Sequence, residues 1–284
     1  MLKIGVTGAN GFVGSRIAST LNSFGHEVVR LIRNPTLEND RQYTLGEPVP
    51  LHVLADLDVV VHTAWDFSAV GGEILTANFI GSQPLLETAS TFGVRVILVS
   101  SLSAFDGCKS KYGLAKLYLE ELVADFGGAS IRAGVIFGRD AGGIFGTLRD
   151  SILLERRSFL PVFSGGYQPL SVSWDNAVCE LVEYLVRVEV VPTVPVLAAH
   201  PIPVTLRSMI NDLSAAAGQR PRLVSIPWRL GWIVLRALEL LQIDPPFRSD
   251  SLLALMNPIS SGQRSALMDS PIKFPSLASD LWAT

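Results

Sequence analysis

Residues 3–7 (KIGVT) form a short, almost wholly apolar run, and the chain then turns through Gly8-Ala9-Asn10-Gly11-Phe12-Val13-Gly14. A helical spacing of apolar positions continues to about Phe24, where Gly25 ends it. Residues 26–32 (HEVVRLI) are rich in β-branched side chains and predict a second strand, broken by Arg33-Asn34-Pro35. The runs 58–62 (DVVVH) and 94–100 (VRVILVS) are nearly continuous in apolar residues. Strands read this way when both faces of a parallel sheet are covered. Between them, Ile74, Leu75, Phe79, Leu85 and Leu86 recur at helical spacing over 72–92. Alternating β and α elements predict an α/β fold with a doubly wound parallel sheet and right-handed crossovers.

From about Gly138 the rhythm loosens. Pro161, Pro169, Pro192, Pro195, Pro201 and Pro203 punctuate helical stretches at 176–188 and 205–217. The expected division is a nucleotide-binding domain over 1–160 and a smaller α/β substrate lobe over 161–284, interleaved with the first. Residues 226–243 (IPWRLGWIVLRALELLQI) are the most apolar stretch, but Arg229, Arg236, Glu239 and a glycine after a proline make a poor membrane span. A buried or dimer-facing helix is the first expectation; a helix docking on a membrane surface or a partner is the other.

Of the 284 residues, 48% are hydrophobic and only 17% charged, so much of the surface is expected to be apolar or covered. A formal net charge of −3 leaves no electrostatic footprint for nucleic acid. Cys108 and Cys179 cannot build a disulfide framework, which favours a reducing cytoplasm, and Met1 leads directly into a strand with no room for a signal peptide. The four histidines are scattered without metal-ligand spacing, and no Gly-x-Ser-x-Gly elbow is present.

The chemistry concentrates in two places. Gly8, Gly11 and Gly14 have the spacing G-x-x-G-x-x-G between a strand and a helix. Two glycines let the backbone turn and approach a pyrophosphate, and the third lets helix and strand pack. The helix N-terminus adds free N–H groups and a positive dipole end. Gly8, Asn10, Gly11, Phe12, Val13 and Gly14 are therefore expected to hold a dinucleotide. An acidic residue after the second strand would select NAD, and a basic one NADP. Arg33 stands there, which predicts NADP over NAD unless Arg33 is simply a solvated loop residue.

The second place is Tyr112-Gly113-Leu114-Ala115-Lys116, which sets Tyr112 and Lys116 one helical turn apart. Eleven residues before Tyr112, Ser100-Ser101 closes a strand at the sheet edge where ligands bind. With the glycine turn, Ser101, Tyr112 and Lys116 resemble the short-chain dehydrogenase/reductase superfamily, in its extended, nucleotide-sugar-epimerase-like branch. The resemblance runs along nearly the whole chain. Residues 58–64 (DVVVHTA) resemble the branch's fourth strand and its cofactor-contacting turn. Asn78 stands where the branch has a helix asparagine, and 131–138 (IRAGVIFG) and 172–177 (VSWDNA) resemble two further segments.

The resemblance implies a Rossmann fold in which Thr63, Ala64, Asn78, Ser100, Tyr112 and Lys116 join the cofactor contacts. It also implies a hydride-transfer site with Ser101, Tyr112 and Lys116 catalytic. A lysine ammonium and the nicotinamide ring are expected to lower the Tyr112 pKa from near 10, so that the phenol exchanges a proton with the substrate oxygen. Members often dimerise through the helices that carry Tyr112 and Asn78. The substrate class implied is a nucleotide sugar, epimerised or reduced at a carbinol or carbonyl carbon. The alternatives are an NADPH-dependent reductase of another carbonyl compound and a non-catalytic nucleotide-bearing subunit of a larger assembly.

Three departures qualify this. Dehydratases of the branch carry an Asp-Glu pair after the serine, whereas this chain has Leu102-Ser103, so dehydration is not expected. Cys108 lies too far along the loop to replace that acid and reads as an incidental thiol. Gln168 stands where many members place an arginine against the substrate diphosphate, a weaker ligand for which Arg248, after Pro245-Pro246-Phe247, could compensate.

Overall fold

The computed structural model describes residues 1–243, 247–278 and 282. Pro245 and Pro246, and the end of the lobe expected over 161–284, lie outside the described residues. The first half alternates as expected: β1 (Lys3–Thr7), α1 (Phe12–Ser23), β2 (Glu27–Ile32), β3 (Arg41–Gln42), β4 (Val59–His62), α2 (Gly81–Thr91), β5 (Arg95–Ser101), α3 (Lys111–Asp125) and β6 (Ala129–Ala133). A π-helical turn, Leu75–Ile80, leads into α2.

Beyond it come β7 (Val135–Phe137), α4 (Gly143–Leu153), β8 (Phe159–Phe163), β9 (Pro169–Leu170), β10 (Val172–Trp174), α5 (Asp175–Arg187) and β11 (Val196–Ala198). The chain continues through β12 (Val204–Thr205), α6 (Leu206–Ala216), β13 (Arg222–Ile226), α7 (Trp228–Leu240), α8 (Ser249–Met256) and α9 (Ser261–Ser265).

Seven strands form one parallel sheet in the order β11-β6-β5-β4-β1-β2-β3. The order reverses beside β1, which opens a crevice at the strand C-termini. The unbroken apolar runs follow from this layering. Val59, Val61, Ile97 and Val99 join Ile17 of α1 and Leu181 of α5 in one core. Val60, Val96 and Leu98 face the other way, onto Leu85 and Leu86 of α2 and Leu119 of α3. Successive side chains point to opposite faces, and here both faces are covered.

The smaller lobe has its own core, with Phe137, Phe145, Leu160, Val162, Met209, Leu213 and Leu252. It rests on three two-stranded ribbons, β7–β10, β9–β12 and β8–β13. Strand β11, from beyond residue 161, completes the edge of the large sheet beside β6. The expectation of a buried helix at 226–243 needs correction. In α7 only Gly231 is buried, because its neighbour Phe163 leaves no room for a Cβ, and the outward face is exposed. Among the described residues no helix is long and apolar enough to cross a membrane.

Candidate active site

The glycine turn is shaped by close approaches. Gly8 has a φ of +66°, a left-handed conformation that glycine adopts without strain. A Cβ on Gly14 would lie 2.4 Å from the Gly8 carbonyl oxygen, so only glycine lets α1 start so close to β1. No side chain caps α1 at Gly11, which leaves its first-turn N–H groups for an anion. Thr63, after β4, donates its hydroxyl to the Thr7 carbonyl at 2.6 Å, and its N–H reaches Thr7 Oγ1 at 3.0 Å. The residues present fit a pyrophosphate: a cradle that a Cβ would fill, open at a helix N-terminus.

Two arginines stand within and just past β2, beside the glycine turn. Arg33 is exposed just past β2, and its charge helps to hold Asp66 below the usual carboxylate range, after the Ser68 hydroxyl bonded to that carboxylate. Arg30 lies within β2 and belongs to no motif that the sequence displays. Its Nη2 donates to Asn10 Oδ1 at 2.5 Å, and its Nε lies 3.6 Å from the Asp40 carboxylate. Alternation along the strand is the signal that places Arg30 on the turn's side.

At the other end of the crevice, the first turn of α3 is held from three directions. Ser110 caps it by accepting from the Gly113 N–H at 3.0 Å. The Asp250 carboxylate of α8 accepts from the Lys111 N–H at 2.7 Å and the Tyr112 N–H at 2.9 Å. A Cβ on Gly113 would lie 2.2 Å from the Ser103 carbonyl oxygen, so the loop after β5 packs directly on the helix. That packing brings the Ser101 hydroxyl to the Tyr112 phenol. The adjacent Ser100 lines the same cavity while its hydroxyl donates to the Glu120 carboxylate, which Arg132 also grips at 2.6 and 3.0 Å.

Trp65, next to Ala64, carries no sequence motif of its own, yet it sits at the centre. Its ring meets Tyr112 edge-on at 4.9 Å, and Lys116 Nζ lies 4.3 Å from its centroid. Lys116 Nζ also donates to the Val99 carbonyl at 2.8 Å. Burial lowers the Lys116 pKa to about 7, partly opposed by the Glu120 charge. Without a nicotinamide ring beside it, burial raises the Tyr112 pKa, and the counteracting influence is the Ser101 hydrogen bond. The Lys116 ammonium, for its part, is engaged by the Val99 carbonyl and the Trp65 ring.

The other named residues divide between the crevice and its supports. Asn78 is fully buried behind it; its Oδ1 accepts from the Asp66 N–H at 2.6 Å and its Nδ2 donates to the Ile74 carbonyl at 3.1 Å. It fixes the loop after Trp65 rather than lining the cavity. His62 is also fully buried, between Thr7 Oγ1 at 2.8 Å and Ser82 Oγ at 3.0 Å, and burial lowers its pKa to about 3. Cys108 is buried, and burial pushes its thiol pKa up. Gln168 points into the protein, donating to the Phe163 carbonyl at 2.8 Å, while Arg248 lines the cavity.

One cavity of about 840 Å³ joins these parts. Gly8, Gly11, Gly14 and Thr63 line one end, Ser101, Tyr112 and Lys116 its middle, and Phe67, Val70, Ile144, Leu170, Trp232 and Leu253 the far end. Besides Lys116, the charged groups of its lining are Asp66, Lys111, Arg236, Glu239, Arg248 and Asp250. A parallel sheet with a glycine cradle at its switch point, continuous with a Ser–Tyr–Lys cluster, defines a dinucleotide-dependent α/β protein of the oxidoreductase type.

Known proteins narrow that class. Residues 4–139 match the model of the NAD dependent epimerase/dehydratase family. A curated relative, the ceramide reductase of Caulobacter vibrioides (strain NA1000 / CB15N), is 27% identical over 236 residues, covering 79% of this chain and 73% of the relative. Among solved structures, MoeE5 in complex with UDP-glucuronic acid and NAD superimposes with a TM-score of 0.72 at 19% identity, over 99% of this chain and 97% of that one. The UDP-glucuronic acid 4-epimerase of Bacillus cereus in complex with NAD gives 0.68 at 20% identity, over 89% and 95%. At these identities the two structures establish the fold.

Proposed function

We propose that the protein is an NADP-preferring reductase of a ketone or aldehyde carried on an amphipathic molecule with an apolar tail. The observation that carries this reading is the far end of the cavity, walled mainly by apolar side chains, with Gln168 turned away from it. The ceramide reductase relative supports a long-chain substrate, and Arg30 and Arg33 together favour a 2′-phosphate. When bound, the dinucleotide supplies hydride at nicotinamide C4 to the carbonyl carbon.

The chain's own residues manage the oxygen. Ser101 donates a hydrogen bond to it, and Tyr112 delivers the proton that completes the alcohol. A phenol whose pKa is raised by burial carries that proton at neutral pH, as reduction requires. Lys116 and Trp65 shape the nicotinamide side of the site.

Arg236 and Arg248 at the cavity wall favour a second reading, reduction or epimerisation of a nucleotide sugar, whose diphosphate they could meet. Following absorbance at the reduced-nicotinamide band, with long-chain ketones of the ceramide type set against sugar nucleotides, separates the two. Turnover of the long-chain ketone alone is expected. Turnover confined to sugar nucleotides overturns the first reading, and turnover with neither class favours a nucleotide-bearing subunit.

A further inference from the structure

Helix α7 presents two different faces. Trp232, Arg236 and Glu239 line the cavity. On the opposite face Leu230, Ile233, Val234, Leu240 and Leu241 follow helical spacing and are between 56 and 71% exposed. A helix of this length ordinarily hides such a stripe against the core, and the core here touches only its other side. Phe163, at the end of β8, packs on Gly231 of α7, so the β8–β13 ribbon adjoins the helix. Alternation in β8 and β13 buries Leu160 and Val162 and turns Phe159, Pro161, Arg222 and Val224 outward, with Arg222 paired to Phe159 in register.

Charge distinguishes this surface from an ordinary sticky patch. No acidic residue occurs from 213 to 238, in a protein whose net charge is negative, whereas Arg220, Arg222 and Arg229 fall in that interval. All three are exposed. Exposed apolar side chains beside arginines, in a stretch from 213 to 238 that holds no carboxylate, match the boundary between anionic lipid headgroups and acyl chains. A second copy of the chain suits it less well, since a two-fold contact brings both sets of arginines to one interface with no carboxylate from 213–238 to pair them.

We infer that the outward face of α7, with the adjoining β8–β13 ribbon, docks on an anionic lipid bilayer surface. The helix lies in the interface plane with its apolar stripe immersed and the arginines among the headgroups. The cavity then opens beside the lipid. Phe67 lines it and is 75% exposed, and the loop that carries Phe67 meets α7 where Gly71 approaches Arg236. Docking stands apart from the choice of substrate: a surface-docked protein could act on a soluble molecule, and membrane binding is measured without turnover.

The test is co-sedimentation of the full chain with vesicles of phosphatidylcholine, with and without phosphatidylglycerol, at low and high salt. Binding to the phosphatidylglycerol vesicles is expected, weakened by salt. Ile233→Glu with Leu240→Glu should remove most of it, roughly tenfold or more in partitioning. Arg220→Gln, Arg222→Gln and Arg229→Gln together should weaken binding to the anionic vesicles and leave binding to phosphatidylcholine alone unaltered. Unchanged melting temperature and NADPH affinity show that each variant is folded. The inference fails if the folded wild-type chain binds neither vesicle, or if the glutamate variants sediment like the wild type. It fails equally if those variants convert a dimer to a monomer in solution, which would make a second copy the occupant.

Discussion

Trp65 packs edge-on against Tyr112 and beneath the Lys116 ammonium, so both side chains proposed to meet a nicotinamide also touch this ring. A dinucleotide entering the crevice must change those contacts, and NADPH titration is expected to alter tryptophan fluorescence in the wild type and much less in Trp65→Phe. Tyr112→Phe should abolish turnover while leaving NADPH affinity within about twofold, read by fluorescence or calorimetry. Arg33→Ala should weaken NADPH more than NADH, by roughly tenfold, in line with the loss of one charge-assisted contact to a phosphate. If both cofactors weaken alike, Arg33 does not read the 2′-phosphate.

The buried lysine carries a pH signature. Its pKa is near 10.5 when unfolded and about 7 in the fold, so below pH 7 the fold bears the cost of an unwillingly charged group. That cost fades as pH rises from about 7 towards 10.5, because the folded lysine is already neutral there. Without cofactor, Lys116→Met is therefore expected to raise the melting temperature more at pH 6.5 than at pH 9.5. Tyr112, Lys116 and Ser101 are legible in the sequence because their spacing falls within one helix and at one strand end. Trp65 and Arg30 are not, because their partners lie on other elements and no local pattern encodes the contact.

At the scale of elements, the first turn of α3 depends on a residue 139 positions away from Lys111. The Asp250 carboxylate satisfies two N–H groups of the first turn of α3 and sets its charge at the positive end of the helix dipole. Asp250→Ala is expected to cost about 1 kcal/mol of stability, as loss of a capping residue does, measurable by urea unfolding. It should also lower kcat more than NADPH affinity, since the anchor lies at Tyr112 and far from the glycine turn. Gly113→Ala should be worse, because its methyl group would collide with the Ser103 carbonyl and push Ser101 away from the phenol. The elements themselves are legible to within a residue or two where apolar runs are long. The exposure of α7 is not, since the same apolar run can face a core, a partner or a bilayer, and hydropathy alone does not say which.

Across the whole molecule, the central sheet is assembled from distant parts of the chain. β11 pairs with β6, and the Leu197 N–H donates to the Met268 carbonyl while the Met268 N–H donates to the Pro195 carbonyl. The large sheet crosses the boundary near residue 160 expected from proline spacing, because a sheet edge is closed by whatever segment reaches it, at any sequence distance. During synthesis, a nascent chain that has emerged only through residue 160 therefore holds six strands with the β6 edge bare. An unpaired edge of that kind invites pairing with other chains. A stalled or truncated product ending near that point should need a chaperone to stay in solution, and its aggregation should subside once the stall is moved beyond residue 268.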